Sequence, residues 1–224
     1  MPPDGLVGVV IPARNAQRWL APALDSVLAQ RHRPLDVVVV DDHSEDHTVA
    51  VAERYAPAVR VIRAPRGGTG ATRNRGVRAV RGEVLTFLDA DDLWPPSRLV
   101  QPLALLRQRP EVDLVFGHVR TFTSVTDGAP QALDEPRPAP LPAAMLIRRE
   151  AFDRVGPFQE GQVLGESLDW LLRARESGLR EVILDQHVLW RRVHSQNTTI
   201  SRRAHRTEYA RAIKRSLDRR RRAR

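Results

Sequence analysis

Short apolar runs alternate with amphipathic stretches along the chain from Leu6 onward. The first run, LVGVVI (6–11), is apolar almost throughout, the pattern of a strand covered on both faces. Trp19, Leu20, Leu24, Val27 and Leu28 then recur at helical spacing up to Gln30. A second buried strand is predicted over LDVVVV (35–40), followed by the polar segment DDHSEDHT, in which Ser44 or Asp46 is placed to cap a helix. VRVIR (59–63) reads as a short third strand, and GGTGATRNRG (67–76) opens a helix that closes near Arg81 and Gly82. EVLTFLDADD (83–92) is a strand running into an acidic turn. Pro95-Pro96-Ser97 starts a helix through about Gln108, and VDLVFGHV (112–119) is strand again.

This alternation predicts an α/β layer fold with a mostly parallel sheet, in which ligands bind beyond the carboxyl ends of the strands. Four polar clusters fall at such ends: Pro12–Asn15, Asp41-Asp42, the glycine-rich turn at 67–70 and Asp89–Asp92. The proline-rich stretch 126–142 has no periodicity and reads as a loop or mobile lid. Beyond it come AAMLIRREAFDRVG, the helical segment GESLDWLLRARESG (165–178), a strand pair EVILD and HVLWRRVH within 181–194, and a tail helix.

Composition narrows the function classes. A chain of 224 residues that is 42% hydrophobic is too apolar for a disordered polymer and long enough to bury a sizeable core. With no cysteine, disulfide scaffolds, thiolate-bound metals and thiol nucleophiles are excluded. Nowhere do about 18 apolar residues run together, and MPPDGLVGVVIP lacks the basic region of a signal peptide, so a soluble, cytoplasmic protein is expected. The net charge of +9 resides in residues 201–224, leaving the rest of the chain neutral and without a field for nucleic acid.

Candidate chemistry lies in the polar clusters. Asp89, Asp91 and Asp92 are hard oxygen ligands suited to Mg²⁺ or Mn²⁺, or else they cap the next helix. A carboxylate at Asp41 or Asp42 can accept from a ribose hydroxyl or a base N–H, or close an Asx-turn. The glycine-rich segment offers backbone N–H groups, and Arg73 a charge-assisted contact.

VVIPARN, VVVVDDHSEDHT, GTGATRNRG, FLDADD, GESLDWLLRARESG and RRVHSQNTT, in that order, resemble the motif series of family 2 glycosyltransferases of the GT-A fold. The resemblance covers roughly residues 6–195 and implies a Rossmann-like, mostly parallel central sheet flanked by helices, with a C-terminal acceptor-side subregion. It divides the chain into residues 1–200 as one domain (1–92 nucleotide-binding, 93–200 acceptor-side) and a basic tail at 201–224. It implies transfer of a sugar from a nucleoside-diphosphate sugar to an acceptor hydroxyl, with inversion and with a divalent cation. By position, Pro12, Ala13, Arg14 and Asn15 would line the nucleotide, and Asp41 or Asp42 would hold the base or ribose. Arg73 would face the nucleotide, and Asp89 and Asp91 would form the DxD motif. Asp91, Asp92 and His194 are the implied metal ligands; the alternative for His194 is a structural histidine.

The chain departs from the family at the base. The usual Glu-Asp-x-Asp becomes Glu166-Ser167-Leu168-Asp169, and a serine cannot act as a base unaided. Glu166 is preferred as the substitute and Asp169 stands second; alternatively Glu166 caps the helix and Asp169 pairs with Arg173. Ser167 motivates a second reading, a non-catalytic nucleotide-sugar binder. GGTGATR also resembles the glycine-rich loop of sugar nucleotidyltransferases, which follows their first strand rather than the third. The acceptor is open among a glycan, a lipid-linked sugar and a small molecule. The tail reads as a basic amphipathic helix on anionic lipid or, preferably, as a terminal helix packed on the domain. Trp170 and Trp190 are assigned to core packing ahead of acceptor stacking.

Overall fold

A computed structural model describes residues 5–32, 34–162, 164–195 and 207–222. Four parallel strands form the first half of the sheet: β1 (Val7–Ala13), β2 (Leu35–Asp42), β3 (Val59–Ala64) and β4 (Val84–Phe87). They lie in the order β3-β2-β1-β4, and the sheet continues through β8 (Met145–Arg148) to β5 (Leu114–Thr126). β8 is antiparallel to both neighbours, and β9 (Glu181–Arg192) runs parallel to β5.

The period of two along each strand divides the core. Val7, Val9, Ile11, Val37 and Val39 face one side, against α1 (Leu20–Leu28), α2 (Thr48–Glu53) and α4 (Val100–Gln108). Val10, Val38, Val40, Leu85 and Phe87 face the other, against α3 (Gly68–Ala79), α5 (Arg149–Val155) and α6 (Glu166–Glu176). Both faces being covered, the strands read as apolar runs rather than alternating ones. Gly76 brings α3 close to β1: a Cβ there would lie 2.2 Å from a Val10 methyl.

The structure departs from the sequence reading in several places. The segment 126–142 is not a free loop: β6 (Ala129–Ala132) and β7 (Arg137–Pro138) pair with β5, and a 3₁₀ turn at Pro142–Ala144 leads into β8. Two of its prolines, Pro130 and Pro138, sit on these short edge pairings, where a missing N–H is tolerated. The strand pair expected within 181–194 is one strand, β9, whose register against β5 shifts on either side of His118. β4 ends at Phe87, so the acidic segment is entirely turn, and α4 begins at Val100, several residues after the prolines. Asp46 precedes the N-cap residue of α2, His47, and its Oδ1 accepts from the Thr48 backbone N–H, while Ser44 Oγ accepts from the Asn15 N–H.

The last helix, α7 (Thr207–Arg222), packs on α6. Trp170 is buried, stacked on Phe152, with its indole N–H donating to the Gly156 carbonyl, as expected of a core residue. No helix among the described residues is long and apolar enough to cross a membrane.

Candidate active site

Because β1 to β4 are parallel, their carboxyl ends share one edge, and the four polar clusters meet there. Asn15, in the left-handed region (φ 48°), ties two of them together. Its N–H donates to Ser44 Oγ, and its Oδ1 accepts from the Glu45 N–H. The next residues extend the seam, with the Ala16 N–H on Thr48 Oγ1 and the Gln17 N–H on Asp46 Oδ2. Pro12 and Arg14 are half-buried and Ala13 is buried; the Arg14 Nε is enclosed without a protein partner.

The two carboxylates ending β2 have different surroundings. Asp42 accepts from the Gly67 N–H at 2.7 Å and the Gly68 N–H at 3.1 Å, engaging both oxygens in the start of α3. Gly68 has φ +78°, a conformation that favours glycine at this turn. Asp41 accepts from Ser44 through Oδ2, while its Oδ1 is buried and unpartnered. Asp41 lines a cavity of ≈ 380 Å³ with His43, Ser44 and His47.

Arg73 joins the strand edge to α6. Its side chain is 4% exposed, and it donates to Asp89 Oδ1 at 2.8 Å, to Glu166 Oε1 at 3.0 Å and to Ser167 Oγ at 3.0 Å. Burial alone would lower the guanidinium pKa, but the charges of Asp89 and Glu166 outweigh it and hold the value above its ordinary one. Ser167 in turn donates to Glu166 Oε1 at 2.9 Å. Glu166 therefore does not cap α6, whose N-cap is Gly165; it sits opposite the acidic turn.

Asp169 is elsewhere in purpose. It is paired with Arg173 one turn along α6 at 3.0 Å and with Arg215 of α7 at 3.1 Å, with its side chain 3% exposed. The structure thus separates the two base candidates, placing Glu166 at the acidic turn and Asp169 in the α6–α7 seam.

In the acidic turn, Asp91 Oδ2 lies 2.9 Å from His194 Nε2. The two meet because β9 runs past the turn: Leu93 and Trp190 exchange backbone hydrogen bonds at 2.9 Å, and Asp92 Oδ1 accepts from the Arg192 N–H. Burial and the neighbouring charge of Asp89 raise the Asp91 carboxyl, while His194 lowers it. Asp92, more deeply buried beside both aspartates, is pushed well above the ordinary range. Asp91 and His194 are thus paired donors on the open side, and Asp92 anchors β9. Among the described residues no group of three His, Asp or Glu converges on a point. Two protein donors fit Mg²⁺ or Mn²⁺, hard ions that retain waters and phosphate oxygens as their remaining ligands. Gln196–Thr199 of the last motif lie outside the described residues.

Two participants were not singled out from the sequence. Trp19 stacks on His194 with ring centroids 5.5 Å apart, and the Arg192 guanidinium lies 4.4 Å from its indole centroid. Its helical spacing with the apolar stripe of α1, which it precedes as the N-cap residue, concealed this, since stripe residues are ordinarily core. Arg192 also donates through Nε to the Asp91 carbonyl and lies over Phe122.

The model of Glycosyl transferase family 2 matches residues 8–161. An uncharacterized glycosyltransferase of Rickettsia typhi is 30% identical over 110 residues, covering 49% of this chain and 35% of that one. A second, from Nostoc, is 29% identical over 172 residues, covering 68% and 53%. The chain spans about a third to a half of the length of these two relatives. Among solved structures, S. aureus TarS in complex with UDP-GlcNAc aligns with a TM-score of 0.74 at 20% identity, covering 87% of this chain and 60% of that one. The mannosyltransferase PcManGT of Pyrobaculum calidifontis, in complex with GDP-Man and Mn²⁺, aligns at 0.72 and 21% identity, covering 93% and 64%. These likenesses establish the shared GT-A fold.

Proposed function

The chain belongs to glycosyl transferase family 2, and on that basis we propose that it is a metal-assisted, inverting glycosyltransferase using a nucleoside-diphosphate sugar. The observation that carries this reading is the Arg73 bridge, which sets Glu166 of α6 opposite the acidic turn through Asp89. A nucleotide-sugar donor is supported by the neighbours solved with UDP-GlcNAc and GDP-Man.

In this reading Asp41 receives the base or ribose through its unpartnered Oδ1, and Asp42 holds the start of α3 in place. Pro12, Ala13, Arg14 and Asn15 line the nucleotide, with the enclosed Arg14 Nε as a donor awaiting an acceptor. Asp91 and His194 hold the cation, which supplies Lewis acidity at the diphosphate when bound. Asp92 positions Arg192 rather than ligating. Glu166 is the base: the acceptor oxygen bonds to the anomeric carbon as the bond to the diphosphate breaks, and the hydroxyl proton passes to Glu166. Arg73 and Ser167 orient Glu166 for that role, and Asp169 supports α6 against α7. The acceptor is a hydroxyl on a glycan, a lipid-linked sugar or a small molecule, handled by residues 93–200.

Calorimetric titration of UDP, GDP and dTDP with and without Mn²⁺, on wild type and Asp91→Ala, tests the donor site. Metal-dependent binding of one nucleotide, lost in the variant, is expected; failure of every nucleotide to bind overturns the assignment. A transfer assay then compares Glu166→Gln with Asp169→Asn, and loss of turnover with donor binding retained is expected for Glu166→Gln. The second reading, a non-catalytic nucleotide-sugar binder, is favoured by Ser167 at the family's base position. Donor turnover by wild type excludes it.

A further inference from the structure

α7 is docked the opposite way round from an ordinary surface helix. Its buried residues are Ala212 and Ser216, and its ties to α6 are polar. Arg215 pairs with Asp169 at 3.1 Å and Arg219 with Glu176 at 2.6 Å, while Ser216 donates to Glu176 and Glu208 accepts from the Leu164 N–H. Its large apolar residues point outward: Ile213 and Leu217, one turn apart, are each 49% exposed. At 3.6 residues per turn, Ile213, Leu217 and Ala210 form one stripe, with Arg220 along one edge and Lys214 and Arg221 along the other. All three of those basic residues are exposed.

We infer that this outer face of α7 is a docking surface for an anionic lipid bilayer. Charge complementarity selects that occupant. The whole formal excess of +9 lies in residues 201–224. The arginines on the inner face, Arg215 and Arg219, are paired with Asp169 and Glu176, and Arg220 lies 3.8 Å from the same Glu176, so Lys214 and Arg221 are the exposed cations left beside the outward apolar stripe. A long basic side chain beside an apolar stripe lays its stem on the hydrocarbon and its head among phosphates. Two exposed aliphatic side chains insert shallowly, so binding depends on charge as much as on apolar burial. Each basic residue near an anionic surface strengthens partition by about fivefold at moderate salt. Docked in this way, α7 holds α6, and Glu166 with it, near a membrane-borne hydroxyl acceptor.

The test is co-sedimentation of the full chain with phosphatidylglycerol-containing vesicles and with pure phosphatidylcholine vesicles. Wild type is expected to partition onto the anionic vesicles at least about tenfold better, with the gain lost at high salt. Ile213→Glu combined with Leu217→Glu, and separately Lys214→Glu combined with Arg221→Glu, are expected to cut partition at least about tenfold. These positions are exposed, so both double variants should keep the wild-type melting temperature. Equal binding to the two vesicle types, or undiminished binding by either variant, overturns the inference. So does concentration-dependent self-association in light scattering that the Glu variants abolish, since the occupant is then a second copy. Nucleotide binding in the same preparations separates the two proposals: with donor binding intact and no vesicle binding, lipid docking alone falls. If vesicles bind and no nucleotide does, the transferase reading alone falls.

Discussion

Replacing Arg73 with methionine probes the bridge on which the site depends. Methionine keeps much of the aliphatic bulk but leaves Glu166, only 12% exposed, without its cation. It also removes the guanidinium lying 5.6 Å from the Phe158 ring centroid. Removing one partner of a buried pair costs about 3–5 kcal/mol, because the survivor is an uncompensated buried charge. The pair with Asp89, itself 39% exposed, adds only about 0–1 kcal/mol. Arg73→Met should therefore destabilise by about 3–6 kcal/mol, a fall of roughly 6–24 °C in melting temperature for a chain of this size. Glu166→Gln neutralises the other partner. The double variant leaves no stranded charge and should recover about 1.5–3 kcal/mol relative to the sum of the single variants. Chemical denaturation of all four proteins, without nucleotide or metal, measures this coupling. If the effects add to within about 0.5 kcal/mol, Arg73 and Glu166 do not act as a pair. The placement of Glu166 opposite the acidic turn would then lose its support.

Other expectations are independent of this one. Asp91→Ala should weaken Mn²⁺-dependent nucleotide binding by at least about a hundredfold, more than loss of an outer-shell partner, with the metal-free melting temperature little changed; calorimetry and thermal unfolding read the two effects. Gly76→Ala should cost about 1–3 kcal/mol, because the added methyl meets Val10 at 2.2 Å; an unchanged calorimetric transition would contradict that packing. Docking of α7 should be acid-sensitive. Burial pushes the Glu176 carboxyl up, but hydrogen bonds from Arg219 and Ser216 and the charges of Arg219 and Arg220 prevail and hold it below the usual carboxylate value of 4.5. The stabilisation is accordingly full above that value and lost as pH falls through the lowered one. Asp169, facing Arg173, Arg215 and Arg219 in the same seam, remains in both proteins. The stability gap between wild type and Glu176→Gln should thus be constant from neutrality to about pH 5 and narrow progressively as the pH falls below the usual carboxylate value. A gap that shows no narrowing on acidification would refute the ion-pair account.

The sheet was legible in the chain because strands buried on both faces must be apolar runs, and the four valines of β2 and the LVGVVI of β1 allow no other reading. The polar clusters at the strand ends were legible for the same reason, since a charged residue closing such a run marks where the strand leaves the core. Their meeting on one edge follows from parallel pairing. The short pairings of β6 and β7 were hidden, because edge strands need few backbone bonds and tolerate proline. The continuity of β9 was hidden too, because its pairing with β5 absorbs irregularities that break the period of two.

What only the tertiary structure decided is which of several equivalent side chains is engaged. Asp41 and Asp42 are chemically alike and adjacent; contact with the turn before α3 occupies one and leaves an oxygen of the other unpartnered. Glu166 and Asp169 share a helix, and spacing alone puts both toward one cleft. Arg73 from α3 takes the first and Arg215 from α7 the second, across 93 and 46 residues of sequence. The outward stripe of α7 has the same origin. Local sequence makes that helix amphipathic, but Asp169 and Glu176 on a neighbouring helix determine that Arg215 and Arg219, and not Ile213 and Leu217, face the protein. Periodicity reports what a segment can bury, whereas partners distant in sequence determine which polar groups are satisfied and which remain available for chemistry.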